Sequence, residues 1–275
     1  MKNSERGTGN AIPVNAGCAA CTSSLGALVW ALILVLLCAL PVGPVLADTL
    51  NLEQFLREAE EAARVTVPVR GDGQFEVTSP EGTRRDQVAL VIRPAADAFI
   101  ELQQEGIKTL LLYTSGQAFY RKAGATRGDN FAPDASFAES DFTREDLEPF
   151  RLSHYTQPRI ADDSATELTV MLVPKVSQYS LEVITFDRQK KVPLKTLYYR
   201  DTLSNLVKMG RHSDYVLIGR KWMPTTISME TFKLRTRAAF RLRWGERSNV
   251  PSDLFDPASL PRASASLWSV APPAP

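Results

Sequence analysis

Cysteine is nearly missing from this chain. Its only three, Cys18, Cys21 and Cys38, all precede Leu40. From Asp48 onward there is none, which excludes structural disulfides, thiolate catalysis and zinc–thiolate sites there. Histidine is almost as scarce: His154 and His212 each stand alone. The H-E-x-x-H, G-x-S-x-G and phosphate-cradling glycine patterns are absent. Asp162-Asp163, next to Ser164, reads as a solvated turn. No catalytic residue, metal or cofactor is therefore expected, although a triad built from distant residues would leave no local signature. An excess of one charge is also missing. The 32 Lys and Arg balance 31 Asp and Glu, for a net charge of +1, and the signs are interspersed. Nucleic acid is not an expected partner.

The first 47 residues differ from the rest. Lys2 and Arg6 precede an uncharged run, Leu25 to Leu40, then Pro41, Pro44 and Val45-Leu46-Ala47. This is the order of a secretory signal with cleavage after Ala47. The rival reading is an uncleaved anchor, because about 20 apolar residues span a bilayer. Both readings put residues 48–260 outside the cytoplasm, in the periplasm, free or tethered to the inner membrane. Residues 261–275 are rich in Ala, Ser and Pro and read as a disordered tail.

Asn51 to Arg64 has the spacing of a helix, with Leu52, Phe55, Leu56, Ala59, Ala62 and Ala63 on one face. Asn51 and Gln54 have the spacing of a capping box. From Gly73 the period drops to two. Val88, Leu90 and Ile92 alternate, and short runs follow at Phe99–Leu102, Ile107–Tyr113 and Gln117–Arg121. Short runs joined by short turns favour an antiparallel meander over βαβ units. Gly124 to Ser140 reads as a loop, and Ser140 to Leu147 as the start of a short helix. The second half is again strand-rich, with a charged hairpin turn at Asp187–Lys191. In its last strand Ala238, Phe240, Leu242 and Trp244 alternate with residues that include Arg241 and Arg243. The series Arg235, Arg237, Arg241 and Arg243 suits either anionic headgroups or an acidic partner, or a solvated outer face. The solvated face is the simpler reading.

Ser140-Asp141-Phe142-Thr143-Arg144-Glu145-Asp146-Leu147 resembles the S-D-F-S/T-x-E-D-L segment of the outer-membrane lipoprotein-sorting family, a LolA/LolB-like group. Three later stretches resemble that family in the same order: Val192-Pro193-Leu194-Lys195, Gly219-Arg220-Lys221-Trp222-Met223-Pro224 and Val250-Pro251-Ser252-Asp253-Leu254-Phe255. The likeness covers roughly Phe119 to Leu260. It departs where the family carries a W-x-Y-x-P strand, since Ala118-Phe119-Tyr120-Arg121 lacks both Trp and the following Pro.

The resemblance implies an α+β, mainly β fold. It would be a half-open antiparallel β-barrel of about ten to eleven strands, with an N-terminal helix and a short helix on its concave side. It implies a non-catalytic carrier: acyl chains of lipoproteins or other lipids buried in an apolar hollow, in a monomer, with an inner-membrane exporter of the RND type as a further partner. The expected lining is Phe75, Leu90, Ile92, Phe99, Leu111, Phe119, Val183, Trp222, Met229 and Phe240. The alternative is a sensor or adaptor of the same fold that binds an inner-membrane regulator or transporter and carries no cargo. A one-residue slip would invert any strand's contribution to the lining.

Overall fold

The computed structural model describes residues 51–260, apart from 95–96, 123–124, 126–127 and 248. The leader and tail expectations lie outside the described residues. No helix among those residues is long and apolar enough to cross a membrane.

Helix α1 spans Leu52–Ala63. Asn51 caps it, its side-chain oxygen accepting the Gln54 N–H at 3.1 Å. Phe55, Leu56 and Ala59 form its buried stripe. Two meanders follow. The first comprises β1 Val69–Ser79, β2 Gly82–Arg93, β3 Asp97–Gln104, β4 Ile107–Thr114, β5 Gln117–Arg121 and β6 Asp129–Asn130. The second comprises β7 Tyr155–Asp163, β8 Glu167–Pro174, β9 Leu181–Asp187, β10 Pro193–Tyr199, β11 Leu206–Ile218, β12 Lys221–Thr231 and β13 Thr236–Glu246. Together they make one unclosed sheet in the order β6-β5-β4-β3-β2-β1-β13-β12-β11-β10-β9-β8-β7.

The meanders join where β1 pairs antiparallel with β13, with Phe75 opposite Phe240. Glycine is required at this junction. A Cβ on Gly73 would fall 1.8 Å from the Arg241 carbonyl oxygen, and one on Gly71 would fall 3.0 Å from the Trp244 ring.

The sheet has thirteen strands, where ten to eleven were expected. The extra ones are the edge strands β6 and β7. Most of β7 is exposed, so it has no apolar alternation to read, and its ladder is broken by register shifts, a common feature of protected edges. Asp162 and Asp163 end this strand rather than forming a turn, and Asp163 binds Arg188 at 2.7 Å. The short helix expected from Ser140 is only a 3-10 turn at Glu145–Leu147.

One face of the sheet, here the inner face, carries the largest apolar cluster. It includes Phe75, Val88, Leu90, Ile100, Leu111, Met229 and Phe240, with Phe131, Phe137 and Phe142 of the β6–β7 connection pressed onto them. Pairing carries the same face through Gly210 and Thr196 to Ile184 and Val170. There α1 packs on Leu168, Val170, Leu172, Ile184 and Phe186. The outer face of β2–β4 is also dry. Ala89, Val91, Phe99, Leu110 and Leu112 are sealed by Leu254, Phe255 and Leu260 near the chain's C-terminal end. Each buried Val, Leu or Phe among them contributes about 1.5–3 kcal/mol by burial.

Candidate functional site

Two covers lie on the inner face, and the chain between them is held differently from either. The first cover is a plug, residues 131–142. The Phe142 and Phe75 rings lie 5.1 and 4.5 Å from that of Phe240, and Tyr120 stacks on Phe131 at 4.7 Å. The second cover is α1. Between them runs a strap, residues 143–151, fastened mainly by polar groups. Asp146 accepts from the Thr143 N–H and hydroxyl, both at 2.7 Å, from the Tyr179 hydroxyl at 3.1 Å and from the Lys208 ammonium at 2.6 Å. Ser177 donates to Glu145 at 2.7 Å. Tyr113 donates to the Arg144 carbonyl at 2.6 Å. Beyond the strap, the Leu152 N–H donates to Glu60 of α1 at 3.1 Å.

Beside the strap are two hollows of about 220 Å³ each. The first is apolar, with Leu90, Ile92, Ile100, Ile227, Phe240 and Trp244 in its wall. The second is mixed, with Tyr155, Glu182, Ile184, Thr196, Tyr198 and Trp222. They share Pro149 and Phe150 of the strap, together with His212 and Met223. Each alone is below the roughly 300–1,000 Å³ of ligand pockets, and the two together fall within it. A wider recess of about 810 Å³ lies outside the plug, but charged residues such as Arg84, Glu105 and Lys122 line it.

Charge in the second hollow is suppressed. Burial raises the Glu182 carboxyl to about 8, against the opposing effect of the bond from the Tyr155 hydroxyl, which is 2.9 Å long. Burial also raises Glu145 and pushes His212 down to about 4. At neutral pH Glu182 is largely protonated and His212 is neutral. Glu148 is paired with Arg144 at 2.8 Å. The hollow is thus less charged than its composition suggests, and an uncharged guest meets little electrostatic penalty. Among the described residues, no group of three or more His, Cys, Asp or Glu converges as metal ligands would.

A family model described as an uncharacterised protein matches residues 127–262. No curated protein matches the chain. Solved structures do. An outer-membrane lipoprotein-sorting protein domain from Vibrio parahaemolyticus aligns with a TM-score of 0.68 at 14% identity, covering 76% of this chain and 97% of that one. A DUF1329 family protein from Desulfovibrio piger gives 0.65 at 14%, covering 75% and 96%. A LolA superfamily protein from Nitrosomonas europaea gives 0.58 at 13%, covering 74% and 96%. The fold is LolA-like. Identity this low speaks for the architecture, an open half-barrel, and for nothing finer.

Within this LolA-like sheet the ten residues expected to line the hollow separate. Phe75, Leu90, Leu111, Met229 and Phe240 belong to the inner-face cluster, and Ile92 packs against it. Of these, Leu90, Ile92 and Phe240 border the first hollow. Trp222 borders the second, 4.9 Å beneath the Lys190 ammonium. Phe99 and Phe119 lie on the outer face with Leu254 and Phe255. Val183 points away from the inner face, where its neighbour Ile184 sits.

A short helix on the concave side was expected from Ser140; its fastenings were not. The S-D-F-T-R-E-D-L segment spans the end of the plug and the start of the strap: Phe142 packs in the plug, Asp141 accepts from the Thr236 hydroxyl, and Asp146 takes the Lys208 ammonium. Trp244 and Ile227 were legible as inner-face residues from the alternation of their strands.

Proposed function

We propose that the protein is a periplasmic carrier that shelters acyl chains of lipoproteins or other lipids under the strap, for transfer towards the outer membrane. The observation that carries this reading is the pair of hollows divided by a segment held by polar contacts. Lifting the strap would join them into one trough, apolar at one end and mixed at the other, and burial contributes about 0.8 kcal/mol per CH₂. Such binding needs no catalytic group. The leader expected from the sequence of the first 47 residues would support the location, and an inner-membrane exporter of the RND type fits as donor.

The test is a lipid extract of purified protein, read beside native mass spectrometry. Bound acyl species, lost when Ala98 beside the first hollow becomes Phe, are the expected result. A protein that stays empty and takes up no fluorescent fatty acid refutes the carrier. One observation favours the second reading, an adaptor of the same fold that binds an inner-membrane regulator. Phe131, Phe137 and Phe142 already fill the inner face of the first meander. An empty protein with a tight partner would establish it.

A further inference from the structure

Four large apolar side chains stand in water at one end of the second meander. Val176 is 90% exposed, Leu203 66%, Leu234 62% and Phe232 37%. They occupy three turns: residues 175–180 between β8 and β9, 200–205 between β10 and β11, and 232–235 between β12 and β13. The strand order puts these turns in a row, about 10 Å apart at two strand spacings each. The same turns carry exposed Lys175, Arg200, Lys233 and Arg235. Asp201 is their only acid. The neighbouring β1–β2 and β3–β4 turns at the same end carry Glu81 and Glu105 instead, and an exposed cation returns at Lys122, after β5.

Apolar tips flanked by cations on adjacent turns do nothing for the core. Their chemistry matches an anionic bilayer, where apolar groups enter the headgroup boundary and cations meet phosphates. We infer that this rim docks on an anionic lipid surface. Each of the three turns also holds, or adjoins, a fastening of the inner-face covers. Ser177 and Tyr179 in the first hold Glu145 and Asp146. Lys208, just after the second, holds Asp146. Thr236, just after the third, holds Asp141. Docking therefore places these fastenings of plug and strap at the bilayer. That this is where cargo enters or leaves rests on the carrier reading; the docking does not.

The test is flotation of the full chain with vesicles of phosphatidylcholine alone or mixed with phosphatidylglycerol. The readout is the ratio of anionic to neutral binding, which cancels any charge-independent insertion by the leader. Lys233→Gln with Arg235→Asn should weaken anionic binding about 30-fold, at roughly one charge's worth each. Asn suits the positive φ of 53° at Arg235. Leu203→Ser with Leu234→Ser should weaken binding to both vesicle types. Arg220→Asn is the matched control, also exposed with positive φ but at the opposite end of the sheet, and should change little. Equal binding to both vesicle types, no vesicle binding, or an equal loss in the control overturns the proposal. Docking without uptake of a fatty-acid probe would count against the carrier alone.

Discussion

The fastening of Asp146 to Lys208 gives the sharpest test of the strap. The Asp146 side chain is fully buried and that of Lys208 is 10% exposed, with 2.6 Å between them. Lys208→Met removes the cation and leaves a carboxylate held only by Thr143 and Tyr179. Asp146→Asn leaves a buried ammonium beside the Tyr179 ring, 5.7 Å from its centroid. Removing one partner of a buried pair costs about 3–5 kcal/mol, whereas replacing both by uncharged groups is often near neutral. Each single variant should therefore raise the opening equilibrium of the strap by about two to nearly four orders of magnitude, and the double variant should return most of it. The assay is native-state hydrogen exchange at the Thr143 and Leu147 amides, whose partners lie within or beside the strap. Amides inside α1 serve as the reference. Strap amides that exchange no faster in either single variant refute the reasoning. So does a double variant whose loss equals the sum of the singles.

Three further outcomes follow from the site and the sheet. The folded chain holds the Glu182 proton up to about pH 8, against an ordinary 4.5, so over that window the folded state binds more protons and stability falls as pH rises. His212, lowered to about 4 from 6.5, acts in the opposite sense below pH 6.5. Urea unfolding between pH 6.5 and 8 should thus show a decline of about 1–2 kcal/mol that Glu182→Gln flattens; equal slopes in both proteins would contradict the assignment. Ala98→Phe should abolish uptake of a fluorescent fatty acid while lowering stability by no more than about 1–3 kcal/mol, and full uptake by that variant would move the binding site elsewhere. Gly73→Ala pushes a methyl against the Arg241 backbone and should lower unfolding stability by about 3 kcal/mol or more; a neutral result would mean that the β1–β13 junction yields easily.

Where one side of a strand met the core and the other met water, its inward face was legible. Leu90, Ile92 and Phe240 follow from alternation alone. The reading slipped where that contrast vanished. In β4, Leu110, Leu111 and Leu112 are all fully buried, so period two selects no face. Phe99 and Phe119 look like lining until the chain beyond Val250 is seen to cover the outer side. At β9 the inner face carries Glu182 beside Ile184, so Val183, expected in the lining, lies on the opposite face. The helix was readable down to its cap, because Asn51 and Gln54 act within one turn. The strap was not: Asp146 and Lys208 meet across 62 residues of sequence, and no local pattern announces such a pairing.

The same contrast in forces indicates which cover moves. Truncating a buried Phe costs about 3–5 kcal/mol, and the plug sets Phe131, Phe137 and Phe142 into one cluster. Lifting it would expose all three together. The strap gives up mainly hydrogen bonds and an ion pair, interactions that water or a headgroup can replace in kind, at a net value near 0.5–1.5 kcal/mol for an ordinary hydrogen bond. Its main apolar anchor is Phe150, which packs on Phe186 and Tyr155 at 5.6 Å and borders both hollows. An acyl chain entering there would replace apolar contact with apolar contact. The strap therefore opens at a smaller free-energy cost than the plug, and it is the cover that stands between the two hollows.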